Sequence, residues 1–232
     1  MHIKRIENHR ETHKINVIIT GATGMVGEGV LHECLLHADV ERILVINRKP
    51  CGVQHPKLTE IVHPDLFDLS SIESQLEGYN ACFFCLGVSS VGMDEAKYSR
   101  ITYDLTLYIA GLVSSVNPGM VFCYVTGTGT DSTEQGKSMW ARVKGKTENQ
   151  LLKLPFKRAY MFRPGYIHPI KGLKNMHRYY AAFTWLYPVL RRLLPKHVIT
   201  LSELGKAMID LVNHEYESNI LESKDMVKIA QR

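Results

Sequence analysis

Residues 15–27 read I-N-V-I-I-T-G-A-T-G-M-V-G, and the stretch changes character at its midpoint. Ile15–Thr20 is a run dominated by β-branched side chains, suited to a strand buried on both faces. Glycines follow at positions 21, 24 and 27, and then Val26, Val30, Leu31, Leu35 and Leu36 recur at helical spacing. A strand that passes through a glycine turn directly into a helix aims the unpaired N–H groups of the helix at the turn. In such a turn Gly21 takes the tight bend, and Gly24 removes a side chain where a phosphate must approach. Gly27 lets the helix close on the sheet. The stretch therefore predicts a dinucleotide site contacted by Gly21, Thr23, Gly24, Met25 and Gly27.

Working outward, further buried-strand runs lie at Ile43–Ile46, Leu58–Val62, Ala81–Leu86, Met120–Val125 and Arg158–Phe162. Helical spacing covers Ser70–Glu77, Asp94–Val116, Lys137–Leu154 and Ser202–His214. Strands alternating with helices predict an α/β fold of the Rossmann type, a doubly wound parallel sheet with helices on both faces. The chain reads as one domain over residues 1–232, with 166–232 forming a small substrate-side region and a C-terminal cover. Within that last third no strand alternation is visible. His177–Leu194 is rich in aromatic residues and reads either as a core-facing helix or as a substrate lid or subunit contact.

With 232 residues, a net charge of +5 and basic residues dispersed along the chain, nothing suggests a polyanion-binding arm, and no nucleic acid partner is expected. No apolar run reaches the length of about 20 residues that crosses a bilayer, so no membrane partner is expected. Cys82 and Cys85 form a C-x-x-C in a strand run, where residues three apart face opposite sides of the sheet. They read as small buried hydrophobes, and no metal site is predicted. The five unframed cysteines and the lack of a signal peptide predict a cytoplasmic location. A small-molecule substrate is the expected partner, and self-association is left open.

The second strand bears on which nucleotide binds. A site selective for NAD places a carboxylate about 20 residues beyond the glycines, on the ribose 2′-hydroxyl. Here the strand ends Ile46-Asn47-Arg48-Lys49. Arg48 is suited to a 2′-phosphate, and Lys49 adds charge, so NADP is preferred over NAD. The alternative is a solvated basic loop.

Six pieces carry a family resemblance: G-A-T-G-M-V-G, I-N-R-K, C-L-G at 85–87, Y-V-T-G at 124–127, V-K-G-K-T-E at 143–148 and F-R-P-G at 162–165. In this order they resemble the short-chain dehydrogenase/reductase superfamily, most closely its atypical, epimerase-like branch related to the Tat-interacting protein oxidoreductases. They span about residues 15–170. The resemblance implies that Asp65 and Leu66 lie near the adenine and that Leu86 and Gly87 line the cofactor. It also places Thr126 at the family's catalytic Ser or Thr, and Lys144 at the lysine of the Tyr-x-x-x-Lys pair, where it binds the nicotinamide ribose. The tyrosine position is occupied by Trp140, whose indole N–H donates a hydrogen bond but does not exchange a proton. Residues 140–153 contain no tyrosine to replace it. Tyr166 and His168, beyond the F-R-P-G piece, and Ser138 are the substitute groups nearest in the pattern, and Tyr166 is the favoured one. Two functions remain: an NADP-dependent oxidoreductase or epimerase-like enzyme with a non-standard proton donor, or an NADP(H)-sensing binding module.

Overall fold

The computed structural model describes residues 13–175 and 187–232. Nine strands fall within them: β1 Ile15–Thr20, β2 Val40–Asn47, β3 Leu58–Val62, β4 Ala81–Phe84, β5 Val121–Val125, β6 Arg158–Arg163, β7 Tyr166–His168, β8 Val198–Thr200 and β9 Ile220–Glu222. Seven of them form one sheet in the order β3-β2-β1-β4-β5-β6-β9, and every pairing in it is parallel. The order reverses between β1 and β4, which opens a crevice beyond the carboxyl ends of the strands. This is the doubly wound Rossmann-like architecture expected from the sequence.

The period of two along each strand feeds two separate cores. Ile15, Val17, Ile19, Phe83, Cys123 and Phe162 face one side of the sheet. Ile18, Phe84, Phe122 and Met161 face the other. Both sides are apolar because both are covered by helices. The first is packed by α1 Met25–Leu36, α6 Leu201–Asn213 and α7 Ser223–Ala230. The second is packed by a 3₁₀ turn at Ser70–Leu76, by α3 Leu105–Val116 and by α4 Met139–Leu151. Cys82 lies in the second core while Cys85 packs against the first, so the two thiols do sit on opposite sides.

Several boundaries differ from expectation. The long helix expected over 94–116 is α2 Glu95–Ser99, a π turn at Arg100–Asp104 and then α3. The helix expected from Lys137 starts at Met139, because the loop before it has its own structure. There the Asp131 carboxylate accepts the N–H groups of Thr133 at 3.0 Å and Gly136 at 2.6 Å. The last third, which shows no strand pattern in sequence, contributes β9 as the seventh strand of the main sheet and β7 paired with β8 as a small second sheet. Each of these is three residues long. Thr200 starts α6 with a capping box, its hydroxyl accepting Glu203 N–H while the Glu203 carboxylate accepts the Thr200 N–H. Of the segment 177–194, residues 177–186 lie outside the described residues, and Tyr187–Leu193 forms α5. Among the described residues no helix is long and apolar enough to cross a membrane.

Candidate functional site

The glycine turn is held by backbone contacts that allow no side chain at two of its three glycines. Gly21 has φ +77°, and a Cβ there would lie 2.7 Å from the Leu86 backbone. A Cβ on Gly27 would lie 2.2 Å from the Gly21 carbonyl oxygen. Gly24 differs. Its Cβ would meet only that same oxygen, at 3.5 Å, so the protein itself leaves room for a Cβ there. Gly24 is also the N-cap of α1, and no side chain caps the helix. The first amides of α1 are thus left for an anion, with the positive end of the helix dipole behind them.

A cleft of about 510 Å³ opens over this turn, lined by Gly21, Thr23, Gly24, Asn47, Arg48, Lys49, Leu66, Cys85, Leu86 and Gly87. Most of the residues expected to hold a cofactor are therefore brought together. Met25 is buried in the first core and Gly27 packs on the Gly21 backbone, so neither lines the cleft. Asp65 is exposed beside it, where its carboxylate accepts Phe67 N–H at 2.8 Å and shapes the turn that presents Leu66. Asn47 and Cys85 belong to the lining although no motif singled them out. Burial pushes the Cys85 thiol up to about 12, so it is an inert wall.

Arg48 and Lys49 are exposed at the end of β2, on a loop braced from below. The Glu60 carboxylate on β3 accepts Asn47 Nδ2 at 3.0 Å and Cys51 N–H at 2.8 Å. It is turned into the loop and does not line the cleft. The lining contains two cations and no carboxylate.

The sheet's carboxyl edge continues from β4 to β5 and β6, where a second group of side chains gathers. Thr126, just past β5, gives its hydroxyl proton to Glu148 Oε1 at 2.7 Å. Glu148 on α4 is fully buried. Its carboxylate also takes the Arg163 guanidinium from the end of β6, through Nε at 3.1 Å and through a shorter contact to Oε2. Arg163 donates onward to Ser132 Oγ. Lys144, one turn before Glu148, donates from Nζ to the Thr126 carbonyl oxygen at 2.8 Å. Burial pulls the Lys144 ammonium down to about 8, against the opposing attraction of the Glu148 carboxylate.

Trp140 sits one turn earlier on the same face of α4, half-buried, with its ring 3.5 Å from where a Gly129 Cβ would be. Tyr166 follows on β7, bound through its N–H to the His197 carbonyl at 2.9 Å, and burial raises its phenol. His168 stacks on Tyr187 with ring centres 3.9 Å apart, and burial lowers its imidazole. Lys144, Thr126 and Tyr166 do not line the nucleotide cleft itself. Sequence reasoning missed the roles of Glu148 and Arg163. The spacing 140, 144, 148 marks one helical stripe, and a glutamate at its end was the available signal.

Comparison with known proteins agrees with this geometry. The chain is 30% identical over 159 residues, 66% of each chain, to "Protein fmp52, mitochondrial" of Emericella nidulans. It is 24% identical over 153 residues to Protein HTATIP2 of Rattus norvegicus, covering 65% of this chain and 62% of that one. The match thus spans about two thirds of these relatives' length. Among solved structures, it superposes on a UDP-N-acetylglucosamine 4-epimerase from Methanobrevibacter ruminantium M1 with a TM-score of 0.64. That match has 16% identity and covers 93% of this chain and 81% of the other. Helicobacter pylori ADP-L-glycero-D-manno-heptose-6-epimerase gives a TM-score of 0.65 at 12% identity, covering 95% and 82%.

The fungal names overturn the expected cytoplasmic location, since these relatives are designated mitochondrial. Buried free thiols show only that they are not cross-linked, and they do not separate one reducing compartment from another. Residues 17–135 match the NAD dependent epimerase/dehydratase family. With that match laid over the glycine turn, its cleft and the parallel sheet, the chain belongs to the NAD-dependent epimerase/dehydratase family, as an atypical short-chain dehydrogenase-like NAD(P)-binding protein.

Proposed function

We propose that this protein is an NADP(H)-dependent oxidoreductase of the epimerase-like kind, acting on a small carbonyl or hydroxyl compound. The observation that carries the choice of cofactor is the pair Arg48 and Lys49 in a cleft whose lining has no carboxylate. Gly21, Thr23, Gly24 and the uncapped start of α1 would hold the pyrophosphate. Leu66 would lie against the adenine, and Leu86 with Gly87 along the ribose and nicotinamide. When bound, the nicotinamide supplies or accepts a hydride. Lys144 would bind its ribose, fixed in place by the Thr126 carbonyl, and Tyr166 would face the substrate. Mitochondrial names among the relatives support a mitochondrial setting for this chain also.

Calorimetric titration with NADPH and NADH tests the cofactor choice. NADPH is expected to bind more tightly, and Arg48→Asp is expected to weaken it about 10- to 100-fold, as for charge-assisted hydrogen bonds worth ~1.5–3 kcal/mol. NADH binding should change little. Equal affinities in the wild type would remove Arg48 from the role.

Trp140 favours a second reading, a module that binds NADP(H) without turnover, because the phenol of the family's acid is missing. Trp140→Tyr separates the two. In an enzyme whose site is otherwise assembled, a phenol beside Lys144 raises reduction of simple carbonyls, by about tenfold. In a pure binding module neither form reduces them.

A further inference from the structure

We propose that Lys144 is itself the proton donor of this site, its ammonium delivering the proton that a tyrosine phenol would otherwise supply. This rests on the enzyme reading above and adds to it the identity of the acid. The argument is one of commitment and reach at the carboxyl ends of β5 and β6.

Trp140 occupies the first position of the stripe 140, 144, 148, and its indole exchanges no proton. Thr126 has one hydroxyl proton, and both acceptors within its reach are protein groups, Glu148 Oε1 at 2.7 Å and the Phe162 carbonyl at 3.1 Å. Glu148 is fully buried and holds both Thr126 and Arg163, so its carboxylate has no path to a substrate. Arg163 is committed to Glu148 and Ser132, and a guanidinium does not lose its proton in a protein. Lys144 remains. It is half-buried, and one of its three N–H bonds goes to the Thr126 carbonyl. The other two are available on the stripe where the family places its acid.

Burial brings that ammonium down to about 8, close to the range in which a general acid both holds and releases its proton. Glu148 is the charged group acting on it from its own helix, and Arg163 from β6 is joined to the same carboxylate. Groups on the neighbouring helices are engaged elsewhere. Glu95 pairs with Arg142, and Tyr103 lies under Lys146, both on the opposite side of α4. Tyr98 and Tyr124 are buried phenols bonded to threonines.

In the reducing direction a substrate carbonyl carbon gains the hydride supplied by NADPH, and its oxygen takes a proton from Lys144. One N–H bond breaks, one O–H bond forms, and the electron pair of the broken bond stays on the lysine nitrogen. Water then returns a proton to the neutral amine. The acid form exists below the lysine midpoint, so reduction is expected to fall as pH rises through about 8.

The test begins on the full-length protein without nucleotide. Reductive methylation with ¹³C-formaldehyde lets each lysine be titrated by NMR. Apart from the α-amino group, which is also methylated and titrates at about 7.7–8.0, the expected result is one lysine resonance with a midpoint near 8, absent from Lys144→Met and shifted lower in Glu148→Gln. A Lys144 midpoint at the ordinary lysine value of about 10.4 overturns the proposal.

The second arm uses Lys144→Arg with a panel of aldehydes, ketones and quinones at saturating NADPH. Arginine keeps the charge for the ribose but cannot release the proton. NADPH affinity is expected to stay within a few-fold while turnover drops by about 10²–10⁴. Wild-type turnover in Lys144→Arg overturns the proposal, as does a basic limb that survives there and disappears in Tyr166→Phe. If no carbonyl is reduced at all, the enzyme reading and this proposal fall together, while the NADPH titration still judges the cofactor choice. If Lys144→Arg does not fold, the wild-type lysine titration decides alone.

Discussion

Gly24→Val is expected to abolish NADPH binding while leaving the fold standing, and Gly27→Ala, three residues on, is expected to damage the fold itself. The two glycines look equivalent in a motif and differ in what surrounds them. At Gly24 the backbone is extended, with φ −101° and ψ 163°, a conformation valine adopts freely. The nearest atom to its Cβ is 3.5 Å away, so the branched side chain is accommodated by the protein and projects where phosphate oxygens must sit. Loss of affinity by about 100-fold or more, ~2.7 kcal/mol, is expected in calorimetric titration, with an unchanged melting temperature. At Gly27 the added methyl lies 2.2 Å from the Gly21 carbonyl oxygen, a backbone atom that gives way only if the turn opens. A cost of about 3 kcal/mol fits such overpacking, and for a chain of this size it lowers Tm by roughly 10 °C. A Gly24→Val protein that binds NADPH normally would mean the phosphates lie elsewhere.

The second large effect concerns Glu148. Replacing it by alanine leaves Arg163 buried without its carboxylate and Thr126 without its acceptor, and about 3–5 kcal/mol of stability is expected to be lost. Glu148→Gln keeps an oxygen for Thr126 and loses the charge, so it falls between alanine and wild type. Breaking an exposed pair provides the contrast. Glu215 meets Arg158 at 2.7 Å with more than half its side chain in water, and Glu215→Ala is expected to change stability far less, because solvent screens the pair. Urea unfolding of the three variants gives the ranking directly. A Glu148→Ala loss as small as that of Glu215→Ala would show that water compensates the pair.

These contrasts also show where sequence reasoning stops. The first six strands were legible because their apolar residues are clustered, buried on both faces in Ile15–Thr20 and Ala81–Phe84 and only partly covered in the edge strand Leu58–Val62. The glycine turn was legible because strand, turn and helix are contiguous. β7, β8 and β9 were not, since Tyr-Ile-His, Val-Ile-Thr and Ile-Leu-Glu are too short to display a period. Their pairing is decided by long-range register, such as Phe162 opposite Leu221. The glycine-turn end of the cleft was readable from one motif, whereas Asn47, Cys85 and Glu60 come to the cleft or its loop by adjacency of strands. Glu148 and Arg163 stood in quoted motifs, but only the fold shows that they face each other.

The seating of α1 has a consequence for synthesis of the chain. A Cβ on Gly29 would lie 2.2 Å from the Leu201 side chain, and one on Gly205 would lie 2.8 Å from Glu33 Cγ, so α1 and α6 interlock through glycines. The helix that would receive the phosphates is therefore seated by a partner that lies far downstream in the sequence. A nascent polypeptide that has emerged only through β6 already contains the glycine turn, but Val30, Leu31 and Cys34 still lack the side chains that cover them. Such contacts between distant parts of a sequence form slowly and leave apolar surface bare in the interim. Nucleotide capture is thus a late event in the life of the emerging chain. Fragments ending before Leu201 are expected to aggregate or bind chaperones rather than to bind nucleotide, which expression of 1–200 with a solubility measurement checks.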